Sequence, residues 1–397
     1  MPRQAGRAFL HTPGPTHIPD SVLNAMHRQS MDLGDPEFSK ACDDIVARLK
    51  PLFGTDGDVY IYASNGHGGW EAILTNVFSP GDKILLIETG FFSEDWRDHA
   101  REIGLEVETI SADWRSGVDP QLIADHLARD VDREIKAVLL THVDTAAGLV
   151  TEIAPVRDAI DSCNHPALLL VDGVASIGTM PFHMDNMGVD IAITATQKAL
   201  MGPPGIALIG VGKQLHSHNR EGGYPRRYWD WRKRNGPSNY AQFGGTGPLQ
   251  TLFALQQALV LMEAEGFDNI FSRHARIANA VHAAVEIWAG GGDLQFNVPN
   301  RIERAPAVTT ILTPEGYDSE KLRGHLRSSL SVSVGGGLGK LFGKAFRIGH
   351  MGDMNEPMIL GCLSSVEMAL NECGLAHGKG GVTAAIESFY QSRNKVI

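Results

Sequence analysis

The sequence predicts an α/β fold: a mainly parallel sheet sandwiched by helices, followed by a smaller C-terminal α+β domain. Three observations lead there: the chain length, a series of short apolar runs, and the amphipathic stretches between them. A chain of 397 residues exceeds what one hydrophobic core usually serves, so a large and a smaller domain are expected. Residues 59–63, 83–87, 135–141, 167–171, 191–196 and 206–211 are runs of strand length, rich in apolar and β-branched side chains. Strands without polar alternation need cover on both faces, which crossover helices give a parallel sheet. A glycine loop after the first run leads into a helix over 69–78. Apolar residues at helical spacing mark helices over 248–265 and 269–289, and 308–312 and 345–348 read as further strands. The change of domain is placed near Gly266, giving a large domain over 21–265 and a small one over 266–397. Residues 1–20, with Pro13-Gly14-Pro15 and Pro19, read as an extended arm.

Composition narrows the function classes. The chain is 43% apolar and 20% charged, with net charge −11 from 35 basic and 46 acidic residues. That balance argues against long disorder and makes nucleic acid a poor partner, although a local basic pocket can still take a small anion. Cys42, Cys163, Cys362 and Cys373 form no C-x-x-C pair, which fits free thiols in a reducing cytoplasm. No secretory apolar segment is read in residues 1–10, no run approaches a membrane span, and residues 394–397 carry no legible address. His216 and His218 lack a suitably spaced Cys or acidic partner and read as surface histidines, so no metal is expected.

Asp172 and Lys198 fall at or just past the carboxyl ends of predicted strands, where open α/β sheets place their ligands. A carboxylate paired with a pyridinium nitrogen and a partly desolvated lysine are what a pyridoxal phosphate enzyme needs. Either residue alone reads as a cap or a solvated loop side chain; it is the combination that points to chemistry. Ser64-Asn65-Gly66-His67-Gly68-Gly69-Trp70 stands between a strand and a helix, where backbone N–H groups and the helix dipole attract an anion such as a phosphate. A dinucleotide fingerprint is a competing interpretation, because Glu88 ends the next strand about 20 residues on. It fails at its third glycine position, where Glu71 stands.

These segments, together with Thr141-His142-Val143-Asp144-Thr145-Ala146-Ala147-Gly148, Val171-Asp172-Gly173-Val174-Ala175-Ser176, Thr196-Gln197-Lys198, Pro203-Pro204-Gly205 and Arg347-Ile348-Gly349-His350, occur in an order and spacing similar to the class V aminotransferases of fold-type I. The chain most resembles the serine/alanine/aspartate–glyoxylate branch. The resemblance implies the fold-type I pyridoxal phosphate transferase fold, and it implies roles. Lys198 would form the Schiff base and Asp172 would pair with the ring nitrogen. Val174 would pack under the ring and Phe92 would stack on its other face. Thr145 would bond the ring hydroxyl, while Gly66, His67 and Gln197 would hold the phosphate. Arg347 would clamp the substrate α-carboxylate, with Gly14 beside the substrate. A homodimer with shared sites is implied, as is amino transfer from a small amino acid to glyoxylate or pyruvate.

Two stretches depart from the family pattern. Where relatives place Tyr-x-x-Thr against the partner's phosphate, this chain has Phe243-Gly244-Gly245-Thr246, so only Thr246 can donate. Leu33-Gly34-Asp35 replaces a His-Arg-Ser that lies near the substrate in the family. Other pyridoxal chemistries on the same fold, such as a pyridoxamine–pyruvate transaminase or a lyase, remain alternatives. A cysteine desulfurase is disfavoured, because Gln197 and not histidine precedes the lysine. An oxidoreductase and a binding protein that has lost catalysis are the rivals from other classes. Arg226, Arg227, Arg232, Lys233 and Arg234, interleaved with Tyr228, Trp229 and Trp231, read as a solvated or interface loop, with a lid over an anionic substrate as the second reading.

Overall fold

The computed structural model describes residues 5–213, 215, 223–236 and 238–394. Strand β1 (Phe9–His11) precedes α1 (Asp20–Ala25) and α2 (Pro36–Phe53). Strands and helices then alternate through β2 (Asp58–Ala63), α3 (Gly66–Val77), β3 (Lys83–Glu88), α4 (Phe91–Glu102), β4 (Glu106–Ser111), α5 (Pro120–Arg129) and β5 (Ile135–Thr141). A ribbon of β6 (Val143–Asp144) and β7 (Leu149–Val150) leads to α6 (Ile153–Ser162), β8 (Leu168–Asp172), β9 (Ile191–Ala195) and β10 (Ile206–Val211). After α7 (Asn239–Phe243), α8 (Leu249–Glu265) and α9 (Phe267–Gly290) come β11 (Gln295–Phe296), β12 (Val308–Leu312), α10 (Ser319–Ser329), β13 (Val332–Gly336) and β14 (Ala345–Gly349). The described chain closes with α11 (Glu356–Glu372) and α12 (Gly381–Asn394).

The large sheet has seven strands in the order β2-β10-β9-β8-β5-β3-β4. Its fully apolar strands divide by parity between two cores. Val138, Leu140, Leu169, Val171 and Leu208 pack with Phe38, Ile45 and Leu49 of α2 and Leu252, Leu255 and Leu259 of α8. Ala137, Leu139, Leu168, Leu170, Ala207 and Ile209 pack with Trp70 and Ile73 of α3 and Trp96 of α4. Each Val, Leu, Ile or Phe among them removed from water stabilises the fold by roughly 1.5–3 kcal/mol, which is why these strands tolerate no alternation. The second sheet, β1-β13-β14-β12-β11, builds its own core with Ile277, Val281 and Trp288 of α9, Leu322 and Leu326 of α10, and Val366 and Leu370 of α11.

The structure refines three readings. First, β10 runs antiparallel to both β2 and β9; an apolar run carries no sign of its direction. Second, α3 begins at Gly66, three residues before the expected start, because Asn65 caps it by accepting the Gly68 N–H at 3.1 Å. The glycine loop is thus the helix's first turn. Third, the N-terminal arm contributes β1, which pairs parallel with β13. Among the described residues, no helix is long and apolar enough to cross a membrane.

Candidate active site

Adjacent parallel strands β8 and β9, with Asp172 in register with Ile193, set the floor of the site. Asp172 is the last residue of β8, and Lys198 follows β9 by three residues. Both therefore emerge at the same carboxyl edge. Each is nearly out of solvent. Burial lowers the Lys198 ammonium to about 8; the Arg347 charge pushes the same way, while the Asp172 and Asp144 carboxylates oppose it. Burial raises Asp172 to about 6, against a 2.8 Å hydrogen bond from the Val174 N–H. A lysine that titrates near 8 offers far more free amine near neutrality than an ordinary lysine, and so can act as nucleophile and base.

The N-terminal arm covers this lysine. Lys198 Nζ donates to the Pro13 carbonyl, and the arm is pinned by Thr16 N–H to the Gln197 carbonyl at 3.1 Å and Thr16 Oγ1 to the Lys198 carbonyl at 2.9 Å. Gly14 sits at φ +111°, a conformation that favours glycine, and a Cβ there would lie 2.7 Å from Lys198 Cδ. Position 14 thus leaves the space that the lysine occupies. The carbonyl of Pro13 had no signal in the sequence.

One cavity is lined by Gly66, His67, Phe92, Thr145, Asp172, Val174, Gln197 and Lys198, together with Trp70, Val143 and Ala175. Every cofactor residue expected from the sequence except Thr246 lies on it. His67 Nε2 meets Asp95 Oδ2 at 2.8 Å. Lys198 Nζ lies 5.8 Å from the centre of the Phe92 ring. Arg347 stands beside the cavity. Its Nη1 donates to the Thr145 carbonyl at 2.9 Å and its Nε to the Gly336 carbonyl at 2.6 Å. Burial lowers this guanidinium to about 10, opposed by Asp144, so it stays charged. A larger, open groove lined by Asp113, Arg115, Tyr317 and Lys344 contains none of these groups.

Other sequence-singled residues lie elsewhere. Thr246 is exposed. Phe243 is buried in the large core, its ring 6.3 Å from that of Phe38. Asn239 Nδ2 reaches the Leu33 carbonyl at 2.6 Å and Ser39 Oγ at 2.9 Å. The two departures from the family pattern therefore lie on segments that touch each other.

The basic aromatic segment is solvated only in part: Arg227, Tyr228, Arg232 and Lys233 are exposed, but Arg234 is not. Arg234 is buried, donates to the carbonyls of Ile61, Gln242 and Tyr228, and lies 3.9 Å over the Tyr62 ring. Trp231 stacks on Tyr60, and Trp229 Nε1 donates to Glu71 Oε1 at 3.0 Å. The segment seals the β2 edge of the large sheet. Arg226 Nε donates to Asn76 Oδ1 at 3.0 Å. His216 and His218 lie outside the described residues.

The cavity fits pyridoxal 5'-phosphate. The N–H groups of Gly66 and His67, in the first turn of α3, have no acceptor among the described residues, and the Gln197 side chain on the same cavity carries an NH2 that can donate. Free donors at a helix N-terminus suit a phosphate, a buried carboxylate suits the ring nitrogen, and a desolvated lysine suits the aldehyde.

Comparison with known proteins agrees with this fit. The profile of the family described as "Aminotransferase class-V" matches residues 8–340. The chain is 39% identical to serine–glyoxylate aminotransferase of Methylorubrum extorquens over 98% of this chain and 97% of that one. It is 37% identical to L-aspartate–glyoxylate aminotransferase of Paracoccus denitrificans over 96% of each. Among solved structures, pyridoxamine–pyruvate aminotransferase of Mesorhizobium loti superposes with a TM-score of 0.88 at 27% identity, covering 98% of this chain and 99% of that one. With a buried lysine and a buried aspartate at the shared edge of two parallel strands, and with this likeness over nearly its whole length, the chain belongs to the class V, fold-type I pyridoxal phosphate-dependent aminotransferases.

Proposed function

We propose that this enzyme moves the amino group of a small amino acid, of the serine, alanine or aspartate type, to a 2-oxo acid such as glyoxylate or pyruvate. The observation that carries the reading is the convergence of Lys198 and Asp172 on one cavity that Arg347 flanks. The relatives' names supply the substrate class.

When bound, pyridoxal phosphate supplies an electron sink and a carrier for the amino group. The chain's own groups do the rest. The first-turn amides of Gly66 and His67, with Gln197, hold the phosphate. Asp172, ionised once a cation faces it, keeps the ring nitrogen protonated. Phe92 and Val174 confine the ring, and Thr145 bonds its hydroxyl. Arg347 has N–H groups left over from its two carbonyl bonds; with these it takes the substrate α-carboxylate and orients the α-hydrogen. Lys198 Nζ, freed as an amine, removes that proton and later returns one. The arm at Pro13 and Gly14 excludes water from the lysine.

The division into a large cofactor-holding domain (21–265) and a small domain (266–397), a cytoplasmic location, a homodimer in which Thr246 reaches the partner's phosphate, and the absence of nucleic-acid partners belong to the same reading. A panel of amino donors against glyoxylate, pyruvate and 2-oxoglutarate tests it. Serine, alanine or aspartate with glyoxylate or pyruvate is expected to give the highest kcat/KM. Turnover only of pyridoxamine, or of no donor by a pyridoxal phosphate-loaded enzyme, overturns it.

A further inference from the structure

Asp144 is fully buried, and its two carboxylate oxygens face two different parts of the site. Oδ2 accepts the N–H groups of Phe92 at 2.8 Å and Ser93 at 3.2 Å. Those belong to the first turn of α4, whose N-cap, Gly90, has no side chain to cap with. A carboxylate from β6 therefore caps this helix in trans, where the free amides and the dipole favour negative charge. Oδ1 accepts the Ala146 N–H at 2.9 Å and the Ala147 N–H at 3.4 Å. Those amides belong to the turn whose Thr145 carbonyl takes Arg347 Nη1.

Gly90 shows how tightly this is built. A Cβ at position 90 would lie 2.0 Å from the Asp144 Cγ. The Gly90 backbone is extended, so space alone, and not its dihedral angles, excludes a side chain. The motif residue that the sequence left without a role thus touches the ring-stacking element on one side and the seat of the carboxylate-binding arginine on the other.

We propose that Asp144 is a positioning residue that sets Phe92 and Arg347 relative to each other through one carboxylate, so that ring stacking and substrate-carboxylate binding are coupled. This rests on the roles given above to Phe92 and Arg347. Asp144→Asn replaces one acceptor oxygen with an NH2, so it can serve only one side. Gly90→Ala displaces the carboxylate without removing it.

The test has two arms. In apoprotein, hydrogen exchange is measured on peptides covering 90–94 and 144–148. Gly90→Ala and Asp144→Ala are expected to speed exchange in both peptides, and Asp144→Asn, which keeps one acceptor oxygen, in at least one. In enzyme loaded with pyridoxal phosphate, the visible circular dichroism of the bound cofactor and the Kd of 3-hydroxypropionate, a carboxylate without an amino group, are read together. Asp144→Asn is expected to diminish the dichroic band and weaken the probe about 10-fold. In an Arg347→Ala background it should weaken the probe no further. Faster exchange in one peptide only for Asp144→Ala, or probe losses that multiply in the double variant, overturn the proposal. If the wild-type enzyme itself gives no probe response, the assignment of Arg347 fails, while the apoprotein arm still decides whether Asp144 bridges the two elements.

Discussion

Arg347 and Arg234 are both buried guanidinium groups, yet their surroundings assign them opposite work. Arg234 donates to three main-chain carbonyls and lies against the rings of Tyr62 and Tyr228. The groove it borders, with Asp43, Lys50 and Asn239, holds neither Lys198 nor Asp172, and what Arg234 does is hold the sheet edge. Arg347 is held by two carbonyls, through Nε and Nη1, and a guanidinium has five N–H groups to place. The guanidinium adjoins the cavity of Lys198 and Asp172 through the carbonyl of Thr145, a residue of its lining. The contrast shows that burial of a charge does not separate structure from function, and neither does saturation, since Arg234 Nε is itself without a partner among the described residues; what differs is the chemistry of the groups nearby.

Variants can break or sharpen this contrast. The largest effect is expected away from both arginines, at the amine that the cavity serves. Lys198→Ala is expected to lower kcat by about 10⁴-fold or more and to abolish the absorbance of lysine-bound cofactor; retained turnover contradicts the assignment. Next, Arg347→Ala is expected to lower kcat/KM for amino donors about 100-fold, the scale of removing one partner of a buried charge pair, with a smaller fall in melting temperature than at Arg234, since it strands two carbonyls and not three. Arg234→Leu is expected to do the reverse. It strands three carbonyls, costing about 3 kcal/mol, or roughly 3–4 °C of Tm for a chain of this size, while leaving KM for the donor within about twofold. A melting temperature unmoved by that change, or a large rise in KM, dissolves the distinction.

The smallest predicted effect is a pH dependence. Lys198 titrates near 8 in the folded protein, below the ordinary lysine value of 10.5. The unfolded chain therefore binds that proton more tightly, and the group's contribution to apoprotein stability improves as pH rises from 8 to 10.5. Asp172, raised to about 6 from 3.8, contributes in the opposite sense: its contribution falls as pH rises from about 4 to 6. Only the free amine attacks the aldehyde, so the rate at which apoprotein takes up pyridoxal phosphate should rise with pH with a midpoint near 8. Asp172→Asn removes a carboxylate that favours the ammonium and should move that midpoint downward. An upward movement contradicts the assigned electrostatics.

Much of this was legible in the sequence, for physical reasons. Strands covered on both faces must be apolar throughout, so β5, β8 and β10 announce themselves. Asp172 and Lys198 are legible because strand ends are where polar groups return. Strand direction was not legible at β10, since an apolar run reads alike both ways. Neither was β1, three residues long and paired with β13 more than 300 positions away,. The burial of Arg234 within a segment read as a solvated or interface loop was not legible, because composition shows charge but not the carbonyls and rings around it. Asp144 gave no functional signal, because its partners at Phe92 and Ser93 lie 52 and 51 positions away and are backbone amides, which every sequence contains.

The central claim is that the amine of Lys198 holds the cofactor. Borohydride reduction of the loaded enzyme, followed by proteolysis and mass spectrometry, tests it most directly. A phosphopyridoxyl adduct on the peptide containing Thr196-Gln197-Lys198, and on no other, is the predicted result. An adduct on a different lysine, or none after saturating pyridoxal phosphate, contradicts it.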